Sequence, residues 1–282
     1  VIVPEAEARQ LATRARRRIG IIGFGAISSA VAACLAAERD ADYALAVLLR
    51  AQANRAAQPP PEGCALLSDE AELVQFAPDL VIEAAGHEAV RTHVASLLGR
   101  GIPVLMSSVG ALHDDALRQR IVEAAEAGGA RLILPSGALA AVDYVRAVRG
   151  LDGLLVQYES RKSVRAWRDE LTALGHDPDT IDAPITLLEG TAREAAARFP
   201  ANLNVAATLA IAADGFEAVQ VRVVADPHVD SNCHIVTVSS AAGTMRAEIS
   251  NRPSPANPKS SAIVASALVA AVRQFFAPIQ VL

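Results

Sequence analysis

From Arg18 onward, short and nearly unbroken apolar runs are separated by longer stretches in which apolar positions recur at helical spacing. Unbroken runs mark strands buried on both faces. In order, the pattern predicts a strand ending in Ile21-Ile22, an apolar helix from Ala26 to Ala37, and a second strand over Tyr43–Leu49. Further strands are predicted over Asp79–Ala85, Ile102–Ser107 and Arg131–Pro135, with helices over Glu88–Leu98 and Asp114–Ala127 between them. Such alternation gives a doubly wound parallel sheet. Gln52 to Gly63, with three successive prolines, reads as a loop within this unit rather than a boundary.

After Ser136-Gly137-Ala138 the rhythm changes. Leu154–Ser163, Ala218–Ala225, His234–Ser240 and Thr244–Ser250 alternate apolar and polar residues, as strands with one wet face do. Helices are predicted at Thr191–Phe199 and Val205–Ala213, and a last helix over Ser260–Phe276 is expected to pack back on the first unit. The fold class is therefore α/β: a Rossmann-type dinucleotide-binding domain with a second α+β domain built on an open, largely antiparallel or mixed sheet. The expected division is residues 1–137, joined by a C-terminal helix at 258–282, and a substrate and dimerisation domain at 138–257.

Composition narrows the class. The 282 residues are 52% hydrophobic and only 4% aromatic, which gives an aliphatic core. A formal net charge of −5 argues against a nucleic-acid surface, which needs a clustered positive field. The basic group Arg14, Arg16, Arg17 and Arg18 reads as a solvated lead-in. No stretch reaches the roughly 20 apolar residues of a membrane span, and the first residues, with Glu5 and Glu7, fit no secretory signal. Cys34, Cys64 and Cys233 are widely spaced and form no metal or redox pair, as expected in a reducing cytoplasm; Cys34 reads as a small packing residue.

The candidate cofactor site is the turn Gly23-Phe24-Gly25-Ala26-Ile27 between first strand and first helix. Gly23 takes a tight turn, and Gly25 lets the backbone approach a pyrophosphate at the positive helix end. Ser28 stands where a third glycine is usual. The second strand closes on Arg50, with Arg55 close behind and no acidic residue between them. Arginine there favours a 2′-phosphate, so NADP is expected beside NAD; the alternative is that Arg50 is a solvated loop residue.

In the second half, Asp226-Pro227-His228-Val229-Asp230-Ser231-Asn232-Cys233-His234 joins two strands at a sheet rim. The spacing fits no common metal ligand set, and no metal is expected. His234 is the candidate for proton transfer, because a neutral imidazole takes a proton near neutral pH while hydride leaves an adjacent carbon. Its alternative is a satisfied structural histidine. Arg161, Lys162, Arg165 and Lys259 are cations suited to a carboxylate substrate. Asn202 and Asn204 stand at a helix start, either capping it or meeting a carboxylate or nicotinamide amide.

Taken together, these segments resemble the L-aspartate dehydrogenase family. The similar pieces are the glycine turn, Pro135-Ser136-Gly137-Ala138, Arg161-Lys162, Phe199 to Leu209, Ala225-Asp226-Pro227 with Asn232-Cys233-His234, and Asn251-Arg252-Pro253-Ser254 leading to Asn257-Pro258-Lys259-Ser260-Ser261. The resemblance implies reversible NAD(P)-dependent oxidation of L-aspartate to iminoaspartate, which hydrolyses to oxaloacetate and ammonia or feeds NAD biosynthesis, in a cytoplasmic homodimer. It makes His234 the catalytic histidine and Ala138 and Asn204 cofactor contacts. Lys162, Lys259 and Asn232 are then the substrate candidates, with Cys233 on the opposite strand face as a core residue. Two departures stand out: Ser28, and Ser163-Val164 where family members commonly carry prolines. Two other readings stay open, a homoserine dehydrogenase or dihydrodipicolinate reductase relative sharing the first domain, and a catalytically silent nucleotide-binding protein.

Overall fold

The computed structural model describes residues 16–38, 42–49, 59–199, 203–255 and 257–281. The first sheet contains β1 (Arg17–Ile22), β2 (Tyr43–Leu48), β3 (Ala65–Leu67), β4 (Leu80–Glu83), β5 (Val104–Met106) and β6 (Leu132–Ile133) in the order β3-β2-β1-β4-β5-β6. All its neighbours run parallel. The order reverses direction between β1 and β4, so a crevice opens beyond their carboxyl ends, where open α/β sheets bind ligands. Helices α1 (Ala26–Ala36), α2 (Glu70–Gln75), α3 (residues 87–99, with a π-helical turn at Val90–Val94) and α4 (Asp115–Gly128) connect these strands.

Sequence explains the geometry at the crevice. Gly23 adopts φ +85°, and a Cβ there would lie 2.5 Å from the Ala85 Cβ, so only glycine lets the chain leave β1 so close to the turn after β4. Ser28 is fully buried and bonds back to the Gly25 carbonyl, which lets α1 lie close to the sheet without the usual third glycine. Glu83, buried at the end of β4, accepts the amides of Ala85, Gly86 and Ser108 and the Ser108 hydroxyl. Burial raises its pKa while these donors oppose the rise. The carboxylate thereby ties the loops after β4 and β5 together at the crevice floor.

The chain then passes through α5 (Val142–Ala147) into β7 (Leu155–Ser163), α6 (Arg168–Ala173), β8 (Ile185–Thr191), α7 (Ala192–Arg198), α8 (Asn204–Ala212), β9 (Val219–Asp226), β10 (Asn232–Ser240) and β11 (Gly243–Asn251). The second sheet has the order β11-β10-β7-β9-β8 and is mixed: β7 and β9 run parallel, the other pairs antiparallel. Its inner face packs on α7 and α8, and the core continues from there into the first sheet's helices. Asn204 accepts the Gly110 amide at 2.9 Å, and Arg193 reaches the His113 carbonyl and Asp115, so the two layers are joined by polar contacts as well.

A hairpin, β12 (Pro253–Ser254) with β13 (Asn257–Ser261), leads to the last helix, α9 (Ile263–Phe276). Leu268, Val269 and Val272 of α9 are buried with Val31 and Leu35 of α1. Each contributes on the order of 1.5–3 kcal/mol by leaving water, enough to fix the helix on the first sheet's layer.

Several expectations are corrected. Residues 258–261 form strand, not helix, because Asn232 and the hairpin ladder hold them extended. The strand predicted over Arg131–Pro135 is reduced to Leu132–Ile133 at the sheet edge. Strands β3 and β8, the β12–β13 hairpin and helices α2, α5 and α6 stand where the sequence pattern predicts no such element. Cys34 is exposed, on the outer side of α1, and does not pack. Among the described residues no helix is long and apolar enough to cross a membrane, and no cluster of His, Cys, Asp or Glu could hold a metal.

Candidate active site

A cleft between the two layers is lined from the first by Ile27, Ser107, Val109 and Pro135 to Ala138, and from the second by Lys162, Asn204, Thr208, His234 and Lys259. Period-two alternation builds its second-sheet wall. Tyr158, Ser160 and Lys162 of β7 share one face, and the antiparallel register sets Ser160 opposite His234 of β10. Arg161 points to the other face, where it pairs with Glu159 and Asp226 and does not reach the cleft. Cys233 is buried on that far face, beside the hydroxyls of Ser231 and Ser250.

His234 is 2% exposed, its ring stacked on Tyr158 with centroids 6.0 Å apart and its Nδ1 2.8 Å from the Tyr158 hydroxyl. Its Nε2 has no hydrogen-bond partner among the described residues. Burial, reinforced by the charge of Lys162, pushes the imidazole down to about 3, so it enters any reaction neutral. Burial likewise pushes Lys162 down to about 7; Glu170 opposes that shift and Lys259 adds to it. The Lys162 ammonium donates to the Lys259 carbonyl at 2.8 Å and lies 5.3 Å from the centre of the Trp167 ring. A lysine poised in this way regains charge when an anion arrives.

The other predicted residues divide. Gly23, Gly25, Ala26 and Ile27 lie at the start of α1, which has no side-chain cap and no acidic residue in its first turn. A Cβ at Gly25 would meet nothing within 4 Å, so the space over the helix end is open, as a diphosphate requires. Ala138 and Asn204 line the cleft from opposite walls, the Ala138 carbonyl fixed by the Asn251 amide at 2.9 Å. Lys259 lines it too, but its ammonium is bound to Asp169 and Glu170; burial disfavours its charge and these carboxylates more than restore it. It therefore reaches the cleft as a neutralised group, a weaker substrate ligand than its sequence position suggests.

Asn232 is not part of the lining. Its amide bonds Ser261 and the Pro258 carbonyl, so it holds the hairpin that carries Lys259. Arg50 and Asn202 fall outside the described residues. Sequence reasoning missed Tyr158, Ser160 and Trp167; counting back by twos from Lys162 along an alternating strand would have found the first two.

The comparisons with known proteins agree with this geometry. A family model described as the homoserine dehydrogenase NAD-binding domain matches residues 23–135, and one described as the aspartate dehydrogenase C-terminal domain matches residues 143–275. The first half therefore serves a nicotinamide dinucleotide. The crystal structure of aspartate dehydrogenase from Thermotoga maritima shares the fold, with a TM-score of 0.70 at 24% identity over 94% of this chain and 99% of that one. L-aspartate dehydrogenase 2 of Bordetella bronchiseptica is 50% identical over 92% of this chain and 97% of its own length. The L-aspartate dehydrogenase of Ruegeria pomeroyi is 40% identical over 92% of each. With that likeness running through both halves, the chain belongs to the L-aspartate dehydrogenase family.

Proposed function

We propose that this protein oxidises L-aspartate reversibly to iminoaspartate with NAD or NADP, the imine then hydrolysing to oxaloacetate and ammonia or supplying NAD biosynthesis. The observation that carries the reading is the cleft itself: a buried, neutral His234 with Nε2 unengaged, beside a buried Lys162, facing the dinucleotide end of the first sheet. In this reading residues 1–137, with the last helix packed back on them, bind the dinucleotide through Gly23, Gly25, Ala26 and Ile27 at the diphosphate, and Ala138 and Asn204 lie near the nicotinamide. Residues 138–257 hold the substrate and pair with a second copy. The chain is read as cytoplasmic.

Lys162 receives a substrate carboxylate and becomes fully charged on doing so. His234 takes the proton that the substrate ammonium gives up, its basicity restored when a substrate carboxylate offsets the burial and the Lys162 charge that depress it in the empty cleft, and a nitrogen lone pair is left to form the C=N bond. A nicotinamide held beside Ala138 and Asn204 would supply the hydride acceptor for Cα. Electrons balance: the Cα–H pair leaves with hydrogen, and the nitrogen pair replaces it. The walls align Cα with the hydride acceptor, and orientation of this kind supplies much of the rate. A homoserine dehydrogenase or dihydrodipicolinate reductase relative would share the fold but not the aspartate dehydrogenase pattern of residues 143–275, and a silent nucleotide-binding protein would have no use for an unengaged imidazole. Cofactor reduction with L-aspartate, set against L-asparagine and homoserine, tests the reading.

Cofactor choice rests on Arg50, just beyond the end of β2. Arg50→Asp is expected to raise KM for NADP at least about tenfold, the worth of a lost charge-assisted bond, with a much smaller change for NAD. Equal changes for the two cofactors would show that Arg50 meets no phosphate.

A further inference from the structure

We infer that Tyr158 and Ser160 form a hydroxyl relay behind His234 that permits the imidazole to act as a base; the inference rests on the role proposed above for His234. The Tyr158 hydroxyl touches Nδ1 at 2.8 Å. Two arrangements of that contact are possible, and they have opposite consequences. If the phenol donates to Nδ1, the imidazole proton sits on Nε2 and the cleft meets an N–H that cannot accept. If Nδ1–H donates to the phenol oxygen, Nε2 presents its lone pair to the substrate.

The second arrangement requires a new acceptor for the phenol hydrogen. Ser160 supplies it. Its hydroxyl is buried on the same strand face one alternation away, within interaction range of the phenol, and is bonded to no other side chain among the described residues. Burial raises the Tyr158 pKa, so the phenol keeps its proton. When Nε2 takes the substrate proton, both ring nitrogens are donors; Nδ1–H then remains bonded to the Tyr158 oxygen while Tyr158 bonds Ser160. No net charge moves along the relay: both hydroxyls keep their direction during the transfer, and the proton taken from substrate stays on Nε2.

Tyr158 is thus a positioning residue, setting tautomer and orientation from behind the ring, where it is buried and outside the cleft lining. A buried acidic or amide partner usually has this task behind a catalytic histidine. A phenol suits the task because its oxygen accepts from Nδ1–H while its own hydrogen goes to Ser160.

The experiment compares Tyr158→Phe, Ser160→Ala and His234→Asn in steady-state kinetics and in NMR of nitrogen-labelled histidine, with the His234 signal identified by its absence from His234→Asn. Tyr158→Phe is expected to lower kcat at least about tenfold, a fraction of what the base itself supplies, with KM for the cofactor unchanged. Its His234 signal should move to the Nε2–H tautomer. Ser160→Ala should lower kcat several-fold in the same direction and provides the test if Tyr158→Phe does not fold. A Tyr158→Phe enzyme with kcat within about twofold of the parent, or with an unaltered tautomer signal, overturns the relay. If His234→Asn also turns over normally, the reading of His234 as the base falls with it; if His234→Asn is inactive, only the relay falls.

Discussion

Replacing His234 by alanine is expected to leave cofactor affinity intact and to cut kcat for aspartate by about 10²–10⁴-fold, the usual contribution of a positioned acid or base. Nε2 is the unengaged imidazole nitrogen in the cleft, and the residues beside it are poor substitutes. Lys162 is held by the Lys259 carbonyl, and Lys259 by two carboxylates. The same substitution has a second signature. In the unfolded chain an imidazole takes up its proton near 6.5, whereas His234 in the fold resists protonation until about 3. Between those values the unfolded state binds more protons, so the parent loses stability as pH falls through the window, and the variant should show a flatter acid limb. Steady-state kinetics and unfolding at several pH values check both; near-parental kcat would remove His234 from the chemistry.

Lys162→Met is expected to separate activity from stability. Loss of one charge-assisted bond to the substrate carboxylate, about 1.5–3 kcal/mol, predicts a fall of roughly 10- to 100-fold in kcat/KM for aspartate. The fold should not suffer in proportion. Lys162 is 2% exposed and its pKa lies at about 7 against 10.5 when solvated, so the unfolded chain binds more protons between those values and the lysine works against the folded state as pH falls through them. An apolar side chain of similar length removes that penalty, and Tm near pH 7 should hold or rise, with the advantage fading as pH climbs toward 10.5. Scanning calorimetry beside aspartate kinetics measures the two effects. Unchanged kcat/KM would exclude Lys162 from the substrate, whatever its effect on stability.

The first sheet was legible because parallel strands buried on both faces leave unbroken apolar runs, as in Gly20 to Ile22, and because Gly23 carries a φ that other residues avoid. The second sheet was legible where alternation is regular, as in β7 and β10. It was not legible in β8, where the register shifts between Thr186 and Leu188 and breaks the alternation, nor in β3, a three-residue edge strand that is largely exposed. The hairpin at 253–261 escaped because its ladder is short and its position depends on Asn232, a contact across 29 residues to Ser261.

The site divides in the same way. His234 and Lys162 carry chemistry in their own side chains and could be named from the sequence, whereas the partners that set their protonation could not. Tyr158 lies 76 residues from His234, and Lys259 lies 97 residues from Lys162, so only the antiparallel register and the hairpin bring them together. Asn232 shows the converse: a polar residue beside the catalytic position whose amide bonds the hairpin. Local pattern identifies the strands, but which polar group faces the cleft depends on pairing at long range.

A cleft whose buried Lys162 gains charge on meeting a carboxylate selects a dicarboxylate amino acid for oxidation. Cofactor reduction by L-aspartate and by L-asparagine, measured side by side on the unmodified enzyme, tests that selection most directly, because the two substrates differ in one carboxylate oxygen and hardly in shape. Losing a single charge-assisted bond of about 1.5–3 kcal/mol predicts that asparagine falls short by at least roughly tenfold in kcat/KM. Equal use of both amino acids, or turnover of neither with either cofactor, would contradict the account.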